Sequence, residues 1–272
     1  MKKVISNILS FILFALIILV CLLTIIRTTI LNQDYVISKL ESANYYERMS
    51  GEIVEQFKNY TIQSGLSDNV IENLYTPDGL KQDINNVINS IYTGSKLEID
   101  TSEIGEKLKE NILKEVEDEG ITVDFEEESM REYIRAIEDA YESQVSYSTD
   151  VVNDIGSTFK KIQNLVEKVQ MLALGMLVFI AILILYVNTK FKLRTLKYLA
   201  ISIMASGAFI LIIRIIIELS MDLKNIMIMN QATTNALQLV IDDILTKITI
   251  VGAALFVVGL VVSIVYNIVK KR

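Results

Sequence analysis

Four stretches of the chain stay apolar for about 20 residues, the length that crosses ~30 Å of hydrocarbon at ~1.5 Å per residue. They run Ile5–Ile26, Val169–Val187, Tyr198–Ile217 and Ile248–Val269. None holds an Asp or Glu, and only the third holds a charge, Arg214. The pattern predicts four membrane helices.

Between the first and second stretches the pattern turns amphipathic. Residues 29–66 read as helix with a break near Ser42 and an end at Ser64-Gly65. Ser67-Asp68 is expected to cap a short helix reaching about Tyr75. Thr76-Pro77-Asp78 then supplies an N-cap, a proline at the first helical position and a carboxylate in the first turn, for a helix to about Tyr92. From Met130 onward, apolar residues at 134, 137, 141, 145, 152, 155, 159, 162, 166 and 169 keep steps of three and four, except around Ser148. This seam predicts a long stalk helix that continues into the second membrane segment, with Gly156 as a point of bending.

A short echo lies between these helices. Leu97-Glu98-Ile99-Asp100 with Glu103 resembles Ile121-Thr122-Val123-Asp124 with Glu127, 24 residues on. Each reads as a very short strand, open to pairing with the other, that launches a helix capped by its Asp in a relative of the capping box. A catalytic pair formed by Asp100 and Asp124 is the sharper alternative; repeated caps are the plainer one.

Charge then orients the chain. All 33 Asp and Glu residues fall on one side of the apolar segments, and nine Lys and Arg residues mark the other: Lys2, Lys3, Lys190, Lys192, Arg194, Lys197, Lys270, Lys271 and Arg272. Cytoplasmic loops are enriched in Lys and Arg, so both termini and residues 188–197 are expected inside. Residues 28–168, with 29 acidic and 13 basic residues and a net charge of −16, are expected outside with the 218–247 connection. The organisation expected is an anchor over 1–27, a helical extracytoplasmic domain and stalk over 28–168, and membrane helices over 169–187, 198–217 and 248–272. The fold class is an all-α membrane protein. A cleavable signal peptide is the competing reading of the first segment. Its long apolar run and missing small-x-small site favour an uncleaved anchor, and bulky Val20 before Cys21 argues against a lipoprotein signal.

Composition narrows the chemistry. The chain has no His, which removes the commonest general base, metal ligand and physiological pH switch. Hydrolases built on Ser-His-Asp or Cys-His, and His-ligated zinc, are excluded. A single Cys, Cys21, excludes an internal disulfide framework. The acidic runs Glu115–Glu119 and Glu126–Glu128 offer oxygen ligands for Ca²⁺ but lack EF-hand spacing, and a solvated helix face is the simpler reading. Asn59-Tyr60-Thr61 matches a glycosylation sequon. No cofactor is implied, and the face expected inside is too small for a nucleotide-binding domain.

Within the membrane segments, Arg214 is the residue that invites a functional reading. At 17 residues past Lys197 it is expected near the outer interface, where it can snorkel and meet Glu218 one turn on. Gly252, Gly259, Ser263 and Asn267 share one face of the fourth helix, and Ser202 and Ser206 one face of the third. Such small residues point to helix packing, within one chain or in a homo-oligomer.

DYVISKL after the first anchor, the LEID unit with its capped helix, the stalk, the ten-residue basic turn, Arg214 and the amphipathic NALQLVIDDILTK form a combination. Together they resemble a loosely defined set of four-helix integral membrane proteins of Gram-positive bacteria. The resemblance spans nearly the whole chain and implies no activity. Permeases of the FtsX and MacB type share the topology alone. The expectation is a non-enzymatic cell-envelope sensor, scaffold or accessory subunit. Its partners would be the lipid bilayer and a protein at the cell surface, with no nucleic acid. The alternative is a transport-associated subunit, either permease-like or an oligomeric pore. A carboxylate-only enzyme ranks third, since Tyr without Trp must line its cleft.

Overall fold

The computed structural model describes residues 2–119, 124–146, 149–189, 192–220 and 230–271. The regular elements among them are all helices: α1 Lys2–Thr28, α2 Gln33–Ser42, α3 Tyr45–Ser64, α4 Pro77–Thr93, α5 Ser102–Glu119, α6 Glu128–Ser146, α7 Thr149–Val187, α8 Lys192–Ser220 and α9 Gln231–Lys271. Four helices are long and apolar enough to cross a membrane: α1, the one ending at Val187, α8 and α9. The chain divides into two compact units.

One unit comprises residues 37–161 with 227–236. Apolar residues at helical spacing fill its centre: Met49, Ile53 and Phe57 from α3, Leu80 and Ile84 from α4, Leu108 and Ile112 from α5, Ile137 and Tyr141 from α6. Asn44 in the left-handed conformation separates α2 from α3, and Gly65 in the same conformation ends α3. Thr76 caps α4, its hydroxyl accepting from Gly79 N at 3.0 Å behind Pro77, and Gly94 closes that helix. The first turn of α9 belongs to the same core. Ala232 is fully buried there, and its N–H donates to Glu52 Oε1 at 2.9 Å.

Several expectations change here. Residues 97–100 form no strand: the Leu97 N–H, which a ladder would use, donates to Asn153 Oδ1 at 2.8 Å. Its proposed partner, Ile121–Val123, lies outside the described residues. Asp100 and Asp124 do not cap their helices. Each accepts the backbone N–H two residues on, from Ser102 at 3.0 Å and Glu126 at 2.9 Å, in a turn that precedes the helix. The segment from Ser67 is a single 3-10 turn, Asp68–Ile71, ended before Tyr75 by Asn73 at φ 56°. The seam from Met130 is carried by α6 and α7, and residues 147–148 between them are outside the described set. Gly156 marks a crossing: a Cβ there would meet Ser90 O at 2.8 Å and Ile91 Cα at 3.4 Å on α4.

The other unit comprises residues 1–36, 162–226 and 237–272. Ser10 meets Ser202 and the Phe14 carbonyl meets Ser206, so α1 and α8 run in the same direction. Asn188 reaches Ser6 while Gln170 reaches Thr24, so α7 runs against α1. Gly207 abuts Phe256 and Gly259 abuts Met204, so α9 runs against α8. The starts of α1 and α8 therefore share one end with the finishes of α7 and α9. That end carries Lys2, Lys3, Arg194, Lys197 and Lys270. The fourth span is not separate from the 231–247 stretch: α9 is one helix of 41 residues, because nothing between Gln231 and Ile248 interrupts a helix.

Candidate functional site

Arg214 and Glu218, the residues singled out in sequence, face each other one turn apart near the finish of α8. Arg214 Nη1 donates to Glu218 Oε2 at 2.5 Å. The guanidinium is half-buried, and its Nε has no hydrogen-bond partner among the described residues. The end of the unit away from the basic residues gathers two more polar groupings. Arg27 donates to Gln170 Oε1 at 3.1 Å and to Glu167 Oε1 at 3.2 Å. Tyr35 Oη donates to Asp243 Oδ2 at 2.7 Å, and Lys247 Nζ lies 3.1 Å from the same oxygen and 4.1 Å above the Tyr35 ring. Burial and then the Asp243 carboxylate push the Tyr35 phenol well above its ordinary range. Tyr35 comes from DYVISKL, and Asp243 and Lys247 come from NALQLVIDDILTK. Two separately noted motifs thus meet, which sequence spacing of more than 200 residues could not reveal.

At the opposite end a polar seam joins three helices. Asn188 Nδ2 donates to Ser6 Oγ at 3.0 Å, Ser10 and Ser202 hydroxyls lie 2.7 Å apart, and Ser206 Oγ donates to the Phe14 carbonyl at 3.1 Å. Ser202 and Ser206 thus pack against α1 within the chain, while Gly259 packs on α8. Ser6, Ser10 and Asn188 went unmarked in the sequence, although Ser6 and Ser10 sit four apart in an apolar run, the spacing of one helical face.

The acidic unit has the larger grooves. α3 and α6 enclose one of about 570 Å³ whose walls include Tyr60, Gln63, Leu66, Met130, Glu132 and Tyr133. The Tyr133 hydroxyl lies 3.0 Å from that of Thr61, which is buried, so the sequon threonine serves the core. A smaller pocket of about 90 Å³ brings Asp83, Asp100, Glu103 and Lys107 near Tyr141. Tyr141 Oη donates to Asp83 Oδ2 at 2.7 Å, and burial followed by that carboxylate raises its pKa strongly. Asp124 is not among the residues of that pocket, so it does not join Asp100 there.

Of the acidic runs, Glu115 accepts from Ser67 N and Oγ at 2.9 and 2.6 Å, and Glu126 lies 3.8 Å from Arg131. Among the described residues no three carboxylates or thiols gather as a metal site.

The architecture is that of an all-helical chain with four helices able to cross a membrane, which fits a multi-pass membrane protein. Compared with family models, curated proteins and solved structures, the chain matches none.

Proposed function

We propose that the protein is a non-enzymatic component of the cell envelope that holds an acidic helical domain outside the membrane. There the domain captures a cationic, partly apolar polypeptide segment at the cell surface. The observation that carries this reading is the net charge of −16 over residues 28–168. That net already counts the domain's cations, of which Lys58, Lys81, Lys96, Lys107 and Arg131 are each engaged with a carboxylate of the domain itself. A field of that sign draws in cationic segments and repels anionic wall polymers. The α3–α6 groove supports the apolar half of the recognition, since Tyr60, Leu66, Met130 and Tyr133 line it beside Glu132. The lysines and arginines gathered at one end of the four spans support the orientation.

The test uses the full chain in nanodiscs of zwitterionic lipid. A designed Lys/Leu amphipathic peptide should bind, and its affinity should fall at least tenfold between 50 and 300 mM salt, on the order expected for several screened charges. Glu132→Lys and Tyr60→Ala should each weaken it. Salt-independent binding, or equal binding of a Glu/Leu analogue, would overturn the reading. Turnover of a wall or lipid substrate by purified protein, lost on carboxylate substitution, would replace it with an enzymatic one. An ATPase that co-purifies until Arg194 is reversed in charge would replace it with a transport role.

A further inference from the structure

A groove of about 450 Å³ runs along the outside of the four-helix unit between α1 and α8. Phe11, Phe14, Ile201 and Ala205 make its apolar walls, and Lys197 and Asn7 stand at its polar mouth. The Ser10 and Ser202 hydroxyls on its floor are 2.7 Å apart, one donating to the other while the second donates to a backbone carbonyl of Ser10 or Tyr198, so the floor asks for no polar ligand. Phe11 is 68% exposed, a large aromatic surface offered to whatever surrounds the helices.

The mouth is electrostatically one-sided. Among the described residues no carboxylate pairs with Lys197, and the nearest carboxylate in sequence is Glu218, 21 residues on. Lys2, Lys3, Arg194 and Lys270 lie at the same end of the unit and share its sign. From Lys197 to Ala205 the groove descends eight residues of α8, ~12 Å at ~1.5 Å per residue, which suits a stretch of hydrocarbon chain. A cation at the head of an apolar channel in a spanning helix pair matches one class of molecule, with its anionic group at the membrane surface and its chain below.

We infer that this groove is a specific site for an anionic phospholipid. Its phosphate sits at Lys197 beside Asn7, and one acyl chain lies along Phe11, Phe14, Ile201 and Ala205. The site rests on the chain spanning a bilayer and is independent of what the acidic domain binds, so either can fail without the other.

Native mass spectrometry of the full chain in detergent tests it, with phosphatidylglycerol and phosphatidylcholine of identical chains added in turn. Phosphatidylglycerol should be retained about fivefold more tightly, as one well-placed cation near a membrane surface provides. Lys197→Gln should reduce it to the phosphatidylcholine level. Ala205→Leu, which fills the channel, should weaken both lipids. Lys270→Gln, at the same end but outside the groove, should leave the preference intact. Equal binding of the two lipids by the unaltered protein would overturn the site, as would a preference indifferent to Lys197→Gln. A preference lost equally with Lys270→Gln would mark a diffuse basic surface instead.

Discussion

Glu138 and Asp100 belong to neighbouring stretches of the acidic unit, yet their carboxyls shift in opposite directions. Asp100 is held below the ordinary range because it accepts the Ser102 hydroxyl and N–H. Glu138 is pushed up, chiefly by burial, with Asp139 and Asp100 adding to the effect and Lys109 and Arg135 opposing it. Its Oε1 lies where a side chain on Gly105 would begin, 2.0 Å from the ideal Cβ position. A carboxyl with a raised folded-state pKa costs stability once it ionises. The penalty is absent below the unfolded value of about 4.3 and complete above the folded value. Glu138→Gln should therefore raise the melting temperature at pH 7, with the two proteins converging near pH 4; a difference that persists at pH 4 would contradict the cause given.

Residue-scale features were legible where the code is local. Thr76-Pro77 announced a capped helix and Ser64-Gly65 an end, because each acts on its own turn. Asp100 and Asp124 read as helix caps in sequence and instead hold the turn before each helix, a choice that depends on one residue of register. Asn153 could not be foreseen as the partner of Leu97, 56 residues away.

At the scale of elements, α8 and α9 approach backbone to backbone. A Cβ on Gly207 would stand 2.3 Å from Phe256 N and one on Gly259 2.4 Å from Met204 N, whereas one on Gly175 of α7 meets nothing within 4 Å. Backbone cannot step aside as a flexible side chain can. Gly207→Ala and Gly259→Ala should each cost about 1–3 kcal/mol, read as lower melting temperatures in detergent, while Gly175→Ala should be neutral. Equal tolerance at all three would contradict the crossing. The sequence marked Gly252 and Gly259 by their spacing but passed over Gly207, since one glycine in an apolar run has no periodic partner on its own helix. The merging of the 231–247 stretch into α9 was missed for a related reason. Amphipathic and wholly apolar patterns suggest separate elements, yet helix propensity is continuous across their junction.

For the whole molecule, the four spans and the all-helical class were readable from hydropathy and from apolar residues repeating at steps of three and four. The meeting of Tyr35 with Asp243 was not, because it depends on how the spans associate. The orientation proposed from charge has a direct test in a Cys21→Ser background. A membrane-impermeant maleimide applied to intact cells should label Lys81→Cys and should reach Lys270→Cys only after permeabilisation. The reverse pattern would invert the topology.

The pairing of Ser10 with Ser202 also sets a clock. These hydroxyls are 192 residues apart, so at ~5–20 residues per second they leave the ribosome ~10–40 s apart. In that interval α1 exists without α8, and its serine hydroxyls can bond only to carbonyls of their own helix. Packing of α1 on α8 must therefore wait for the synthesis of α8, and the acidic segment between the first two spans sets most of the delay.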